Sequence, residues 1–339
     1  MTTQTLDLER LEPWLRQHIH DFEGPLSAEK FAGGQSNPTF KLTAGDRRYV
    51  LRRKPPGQLL ASAHAVDREY RVIKALADTD VPVPQAFALC DDDSIIGSMF
   101  YLMECLEGRV FWDPALPEVS TRERTAMYDE MNRVLAAMHS VDIERVGLSD
   151  YGKPGNYFER QIGRWTKQYR ASETETQPAM ERMIDWLPAH LPADDGRVSL
   201  VHGDYRLDNV MFHPTEPRII AVLDWELSTL GNPIADLAYQ VMAWQLPREG
   251  GINGMMGVDR GPLGIPSDPE YIARYCERTG RDDIAHWPFY MVFCFFRLAA
   301  ILQGVKKRAI DGNASSAEAA SRGDMVGPLA AMALPYMGD

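Results

Sequence analysis

Cysteine is scarce in this chain, and the four present, Cys90, Cys105, Cys276 and Cys294, show no paired spacing that would suggest a zinc site or a disulfide framework. Positive charge is also short. The 339 residues carry a formal net charge of −12, which argues against nucleic acid as a general partner. Long uncharged hydrophobic runs are missing too. The most apolar stretch, Phe289 to Leu302, is short and contains Arg297, so it reads as a buried core helix rather than a membrane span. The first residues lack the pattern of a signal peptide. Asp7, Glu9 and Glu12 among apolar neighbours read as an amphipathic helix, and the expectation is a cytoplasmic protein with no membrane partner. The sequence sets no oligomeric state. What is present is ample apolar content, 45% of residues, on a length that suits one bilobal fold or two domains.

The most informative stretch is His202-Gly-Asp-Tyr-Arg-Leu-Asp-Asn209. An Asp and an Asn five apart fit the needs of phosphoryl transfer: one carboxylate takes the proton of an attacking hydroxyl, and a neutral amide oxygen holds a magnesium ion against the nucleotide phosphates. A second carboxylate should complete the metal site. Asp224 stands at the end of the apolar β-branched run Ile-Ile-Ala-Val-Leu, where a strand would deliver such a ligand. Val198 to Val201 reads as a strand entering the loop and Val210 to Phe212 as one leaving it. Pro214 and Pro217 break the chain before a strand over Arg218 to Leu223. Each polar residue alone has a plainer use: Asn209 as a turn former, Asp224 as a helix cap, His202 as a satisfied core histidine. The set in this order and spacing favours chemistry. A metal hydrolase built on His202 and Asp204 would need a further His and carboxylate cluster that is absent.

His202-Gly-Asp-x-x-x-x-Asn209, Leu223-Asp224-Trp225-Glu226 and Gly231-Asn-Pro-x-x-Asp236 together resemble the aminoglycoside phosphotransferase and choline kinase superfamily, relatives of protein kinases. The resemblance implies an α+β, bilobal, protein-kinase-like fold. A small antiparallel sheet with a helix would form an N-terminal nucleotide-binding lobe, residues 1–104, and a larger, mainly helical C-terminal lobe, residues 105–339, would carry catalysis and acceptor binding. It implies Asp204 as catalytic base, Asn209 and Asp224 as magnesium ligands, and Asp236 as a structural carboxylate holding the loop backbone. ATP and Mg2+ are the implied cofactors, and a small-molecule hydroxyl is the acceptor. Arg206 falls where many protein kinases place a lysine near the transferred phosphate, and a guanidinium there would stabilise charge on the equatorial oxygens. An exposed turn arginine is the equal alternative. Asp208 has no assignable role.

Upstream, Phe31 to Leu42 reads as strand, glycine turn, strand, followed by a hairpin turn at Ala44-Gly-Asp46 and a strand over Tyr49 to Arg52. Gly33, Gly34, Gln35, Ser36 and Asn37 form the candidate phosphate loop, although its spacing departs from G-x-G-x-x-G. Arg52 fits the slot of the phosphate-binding cation, with Arg53 and Lys54 as substitutes if the register slips by one. Ser62 to Ala77 reads as a helix with Val66, Tyr70, Ile73 and Ala77 on its apolar face and Glu69 beside it, the natural ion-pair partner of Arg52. Pro82 and Pro84 imply an edge strand or extended connection, and Ser98 to Met103 reads as a fully buried strand. Glu104 to Gly108 would link the lobes, and the resemblance implies that main-chain atoms of Glu104 and Leu106 meet the adenine edge.

Beyond Gly108 helical periods take over. Ser120-Thr-Arg-Glu123 reads as a capping box for a helix whose face is Met127, Met131, Val134, Leu135 and Met138. Further helices are expected over Tyr157 to Tyr169, Pro178 to His190 and Ile234 to Trp244. Leu246 to Pro269, rich in Gly and Pro, reads as a mobile flap near the acceptor site. No Phe-Gly follows Asp224, no Ala-Pro-Glu comes later, and only Trp225 to Ala235 separate Asp224 from Asp236. That leaves no room for an activation loop and disfavours a protein acceptor. A catalytically silent nucleotide-binding module is the rival from another class. Tyr49 to Gly57 and Ser62 to Tyr70 resemble the kinase-like domain that some proteins fuse to an acyl-CoA dehydrogenase. That resemblance implies a hydroxyacyl-CoA acceptor, with an aminoglycoside as the runner-up.

Overall fold

The computed structural model describes residues 6–31, 37–55, 65–153, 155–248, 253–312 and 323–338. Five antiparallel strands, β1 (Leu26–Lys30), β2 (Thr39–Ala44), β3 (Arg47–Arg53), β4 (Ala86–Cys90) and β5 (Phe100–Glu104), form one sheet in the order β1-β2-β3-β5-β4. Side chains alternate across a strand, so each strand feeds two faces. Phe40, Leu42, Tyr49, Leu51, Phe100 and Leu102 meet Leu11 and Leu15 of α1 (Leu8–His18) in one small core. Tyr101 points the other way, into the main core shared with Val66, Val72, Ile73 and Leu76 of α2 (Val66–Leu76). Val50 and Arg52 stand on that second face by the same alternation. The strand after Pro82 and Pro84 is indeed an edge strand.

The sequence reading of α2 needs a correction. Its buried stripe is Val66, Glu69, Val72, Ile73 and Leu76, while Tyr70 is half-buried and Ala77 exposed. The stripe follows the i, i+3, i+7, i+10 positions from Val66, which puts Glu69 in the buried face and not beside it. The strand expected over Ser98 to Met103 is likewise shifted: β5 begins at Phe100, and Met103 and Glu104 are only partly covered.

The remainder is mainly helical. The principal helices are α4 (Thr121–His139), α5 (Tyr157–Ser172), α6 (Pro178–Ala189), α7 (Ile234–Gln245), α9 (Asp268–Thr279) and α10 (Trp287–Ile310), with single turns α3 (Asp93–Ile96) and α8 (Arg260–Leu263). Ser120 caps α4 by accepting from the Glu123 N–H at 3.2 Å, but the expected box is half made, because the Glu123 carboxylate is bonded to Arg109 at 2.8 Å. A complete box stands instead at Ser267 and Glu270. The helix around Phe289 to Leu302 is longer than its apolar run: α10 has 24 residues, enough by length and composition to cross a membrane, yet 78% of its apolar window is buried within the protein.

The segment read as a flap is only partly described, 249–252 lying outside the described residues. Among the described residues, Met255 donates to the Trp244 carbonyl at 3.0 Å, Met256 to Leu246 at 3.0 Å, and Met255 is buried in the main core. A Cβ at Gly254 would overlap the Leu246 backbone, so the glycine here permits close packing. These contacts hold Met255 and Met256 against α7 where the Gly and Pro content suggested no structure.

Candidate active site

Two small antiparallel ladders deliver the central residues. β6 (Ser199–Val201) pairs with β9 (Thr229–Gly231), and β7 (Val210–Phe212) pairs with β8 (Ile219–Val222). The loop 202–209 joins β6 to β7, and Asp224 follows β8 in the left-handed region at φ 61°. Gly203 also has positive φ, 85°, and a Cβ there would meet the Leu227 carbonyl oxygen at 2.8 Å, so this position needs glycine.

The loop backbone is held from both sides. Asp236, fully buried near the start of α7, accepts from the N–H groups of His202 at 2.6 Å and Gly203 at 2.8 Å. Burial works against its charge, but the hydrogen bond and field of His139, with the Gly203 N–H, outweigh it and hold the carboxyl below the usual range. On the other side Arg297 of α10 donates to the Gly203 carbonyl, with its guanidinium over the rings of Tyr239 and Trp165. Asp236 thus sits where a supporting carboxylate was expected. His202 is a satisfied core histidine: Nε2 lies 2.8 Å from the Leu223 carbonyl and Nδ1 3.2 Å from the Asp204 N–H. Donation at Nε2 and acceptance at Nδ1 require the neutral Nε2–H tautomer.

Asp204 and Asn209 are brought together. The Asn209 amide nitrogen donates to the Asp204 carboxylate at 2.9 Å and to its carbonyl at 2.8 Å. That leaves the amide oxygen with no donor among the described residues. The Asn209 carbonyl accepts from Leu223 at 2.8 Å, which ties the loop to the strand end carrying Asp224. Arg206 is not a free surface cation but a paired one that lines a cleft. Its Nε lies 3.2 Å from Asp204 in an ion pair short of hydrogen-bond alignment, and its Nη2 is 2.8 Å from Asp208. Asp208, left without a role by sequence, is therefore the partner that orients Arg206, and its burial pushes the carboxyl upward against the pull of Arg206.

Arg52 takes the expected slot. Its Nε is 2.9 Å from Glu69 and its Nη2 2.5 Å from Asp224, with Glu226 at 3.8 Å. Arg53 faces the other side of the sheet and donates to Ser98 at 3.0 Å, and Lys54 is 3.9 Å from Asp67. Strand alternation turns Arg53 away, and Lys54 lies past the end of β3. Burial disfavours charge on Arg52, yet Glu69 and Asp224 together raise its pKa. Glu69 is pushed up to about 7 by burial in spite of Arg52, and also accepts from Tyr101 at 3.1 Å and from Asn37 at 2.8 Å. Of the candidate phosphate loop only Asn37 is described, and Gly33, Gly34, Gln35 and Ser36 lie outside the described residues.

Two clefts flank this group. One of about 260 Å³ is bounded by Phe31, Val50 and Met103 above, Met211 and Leu223 below, and Glu104 to Glu107 at the back. Leu106 donates its N–H to no carbonyl among the described residues, whereas the Glu104 N–H is engaged by Gln85 at 2.9 Å. The other, about 240 Å³, lies beside Arg206 and Asp208 and is otherwise lined by Trp112, Tyr239, Trp244, Leu246, Leu298 and Leu302, among others. Sequence reasoning missed Arg297, Asp208, Tyr239 and Trp112. A lone arginine in an apolar helix was a legible signal for the first; the other three are placed by tertiary packing alone.

Residues 27–290 match the phosphotransferase enzyme family. Mouse acyl-CoA dehydrogenase family member 10 is 50% identical over 336 residues, 98% of this chain but 31% of that protein, so the chain spans about a third of this relative's length. The crystal structure of a candidate aminoglycoside phosphotransferase from Ralstonia eutropha is 55% identical, with a TM-score of 0.91 over 98% of this chain and 99% of that one. A thermostable mutant of aminoglycoside phosphotransferase APH(4)-Ia, solved with AMP-PNP and hygromycin B, shares the fold at 18% identity, with a TM-score of 0.59 over 94% of this chain and 98% of that one. The five-stranded sheet, the mainly helical remainder and these likenesses agree: the chain has the kinase-like α+β fold and belongs to the phosphotransferase enzyme family.

Proposed function

We propose that this protein is an ATP- and Mg2+-dependent small-molecule kinase that phosphorylates a hydroxyl, with a hydroxyacyl-CoA as acceptor. The observation that carries the reading is the convergence of Asp204, Asn209 and Asp224 beside the Arg52 and Glu69 pair. Asp204 is the general base: Asn209 fixes its carboxylate, and its ion-pair partner Arg206 lines the cleft that would admit the acceptor. Asn209 through its amide oxygen and Asp224 through its carboxylate would hold magnesium, which would supply positive charge to offset the nucleotide phosphates. Arg52, held by Glu69, contacts the phosphates as a permanent cation. The cleft behind β5 takes the base, with the free Leu106 N–H and the Glu104 carbonyl at its edge. Arg206, anchored by Asp208, stabilises charge on the transferred group. We assign residues up to about Glu104 to the nucleotide lobe and the rest to catalysis and acceptor binding.

The acceptor is argued from the second cleft. Its wall mixes aromatic and aliphatic side chains with the polar Arg206, Asp208, Gln240 and Asn253, and its one cation and one carboxylate are already paired to each other. An apolar acyl chain suits it, whereas a polycationic amino sugar would want several unpaired carboxylates. The relationship to an acyl-CoA dehydrogenase family member points the same way. The test is phosphate transfer from ATP across hydroxyacyl-CoAs, amino sugars, choline and homoserine. Transfer to the acyl thioesters is expected. Transfer only to amino sugars would overturn the acceptor, and no transfer despite tight ATP binding would favour a silent nucleotide-binding module.

A further inference from the structure

We propose that Arg68, Tyr151 and Ser228 form a clamp that positions helix α2 against the Asp224 segment and so sets the metal-dependent part of nucleotide affinity. Arg68 is the neighbour of Glu69 on α2. Its guanidinium lies 4.0 Å from the Tyr151 ring centroid and donates to the Tyr151 carbonyl at 2.7 Å and the Ser228 carbonyl at 3.3 Å. The Tyr151 hydroxyl is shared between the Ser228 hydroxyl at 2.7 Å and the Arg68 carbonyl at 3.2 Å. Ser228 in turn bonds the Trp225 carbonyl at 2.5 Å, and the Trp225 indole N–H bonds Val222 at 3.0 Å. This closed ring links α2 to the turn that holds Asp224 at positive φ. Tyr151, Trp225 and Ser228 are buried, so their bonds are shielded from competing water.

Both ends of the Arg52 bridge are thereby fixed by one network: Glu69 through α2 and Asp224 through the Trp225 to Ser228 turn. A loosened clamp would let the two carboxylates drift relative to each other while leaving the purine cleft, built from β3, β5 and residues 104–107, untouched. Arg71 grips the same loop through Gly147 at 2.8 Å and through Asp150, but that pair is solvent-exposed and adds little.

The inference rests on the proposed nucleotide and metal site, and the experiment separates the two. Affinity for AMP-PNP is measured by calorimetry on the full chain with and without Mg2+, for wild type, Arg68→Ala, Arg68→Lys, Tyr151→Phe, Ser228→Ala and Arg71→Ala. Arg68→Ala should weaken Mg2+-dependent binding by about tenfold and metal-free binding far less. Tyr151→Phe and Ser228→Ala should do so more mildly, Arg68→Lys should recover part of the loss, and Arg71→Ala should match wild type. If wild type itself shows no Mg2+ enhancement, the function reading falls and the clamp with it. If wild type shows it and the clamp variants keep it, or lose both affinities equally, the clamp alone is overturned. Tyr151→Phe, which removes one oxygen, keeps the test decisive should Arg68→Ala fold poorly.

Discussion

At the scale of single residues, the site is a set of charges whose environments differ sharply. Asp236 is fully buried yet stays ionised because two backbone N–H groups and His139 compensate its desolvation. Asp236→Asn leaves one acceptor oxygen and turns an amide donor toward a donor. It should cost about 3 kcal/mol of stability by urea unfolding, and a loss below about 1 kcal/mol would show that the loop is held by other means. The family resemblance already offered Asp236 as structural, at the place where kinase-like folds hold the catalytic-loop backbone. The sequence could not choose between the uses of His202, since that choice depends on Leu223, twenty-one residues away, accepting from Nε2. Arg206 was open for the same reason: its exposure and its pairing with Asp208 follow from the fold of the loop.

Among the elements, α2 and β3 show what periodicity can and cannot reveal. The slot on β3 suggested Arg52 but left Arg53 and Lys54 open to a register slip, and helix spacing found α2 but misplaced its face, because the helix begins at Val66. Glu69 is consequently buried, and its pKa rises from 4.5 to about 7. Between those values the native state binds more protons at this site than the unfolded chain, so the Glu69 contribution to stability falls as pH rises and is level above about 7. Glu69→Gln should remove that slope, as read from unfolding free energies of both proteins between pH 5 and 8. A slope unchanged in the variant would place its origin elsewhere. The segment after Leu246 was illegible for a different reason: Met255 is fixed by a bond to Trp244 and by burial in the main core, and neither has a local signature. The Ser120 box failed in half because Arg109, fourteen residues away, competes for Glu123.

For the whole molecule, two apolar cores and two small ladders bring residues 52, 69, 204, 209 and 224 into one place. The pairing of β6 with β9 was beyond reach of the sequence pattern, because three-residue strands carry too little alternation to specify a partner. The fold was legible through motif spacing, and the chemistry through residue type; the acceptor cleft was not, since its walls come from α4, α7, α10 and the stretch around Trp112. The central claim is that Asp204 is the base of a phosphotransferase. Its most direct test pairs AMP-PNP affinity in the presence of Mg2+ with turnover of ATP and a responding acceptor, for wild type and Asp204→Asn. The account predicts turnover lower by about two to four orders of magnitude with nucleotide affinity within about twofold of wild type. Near-normal turnover in Asp204→Asn would contradict it.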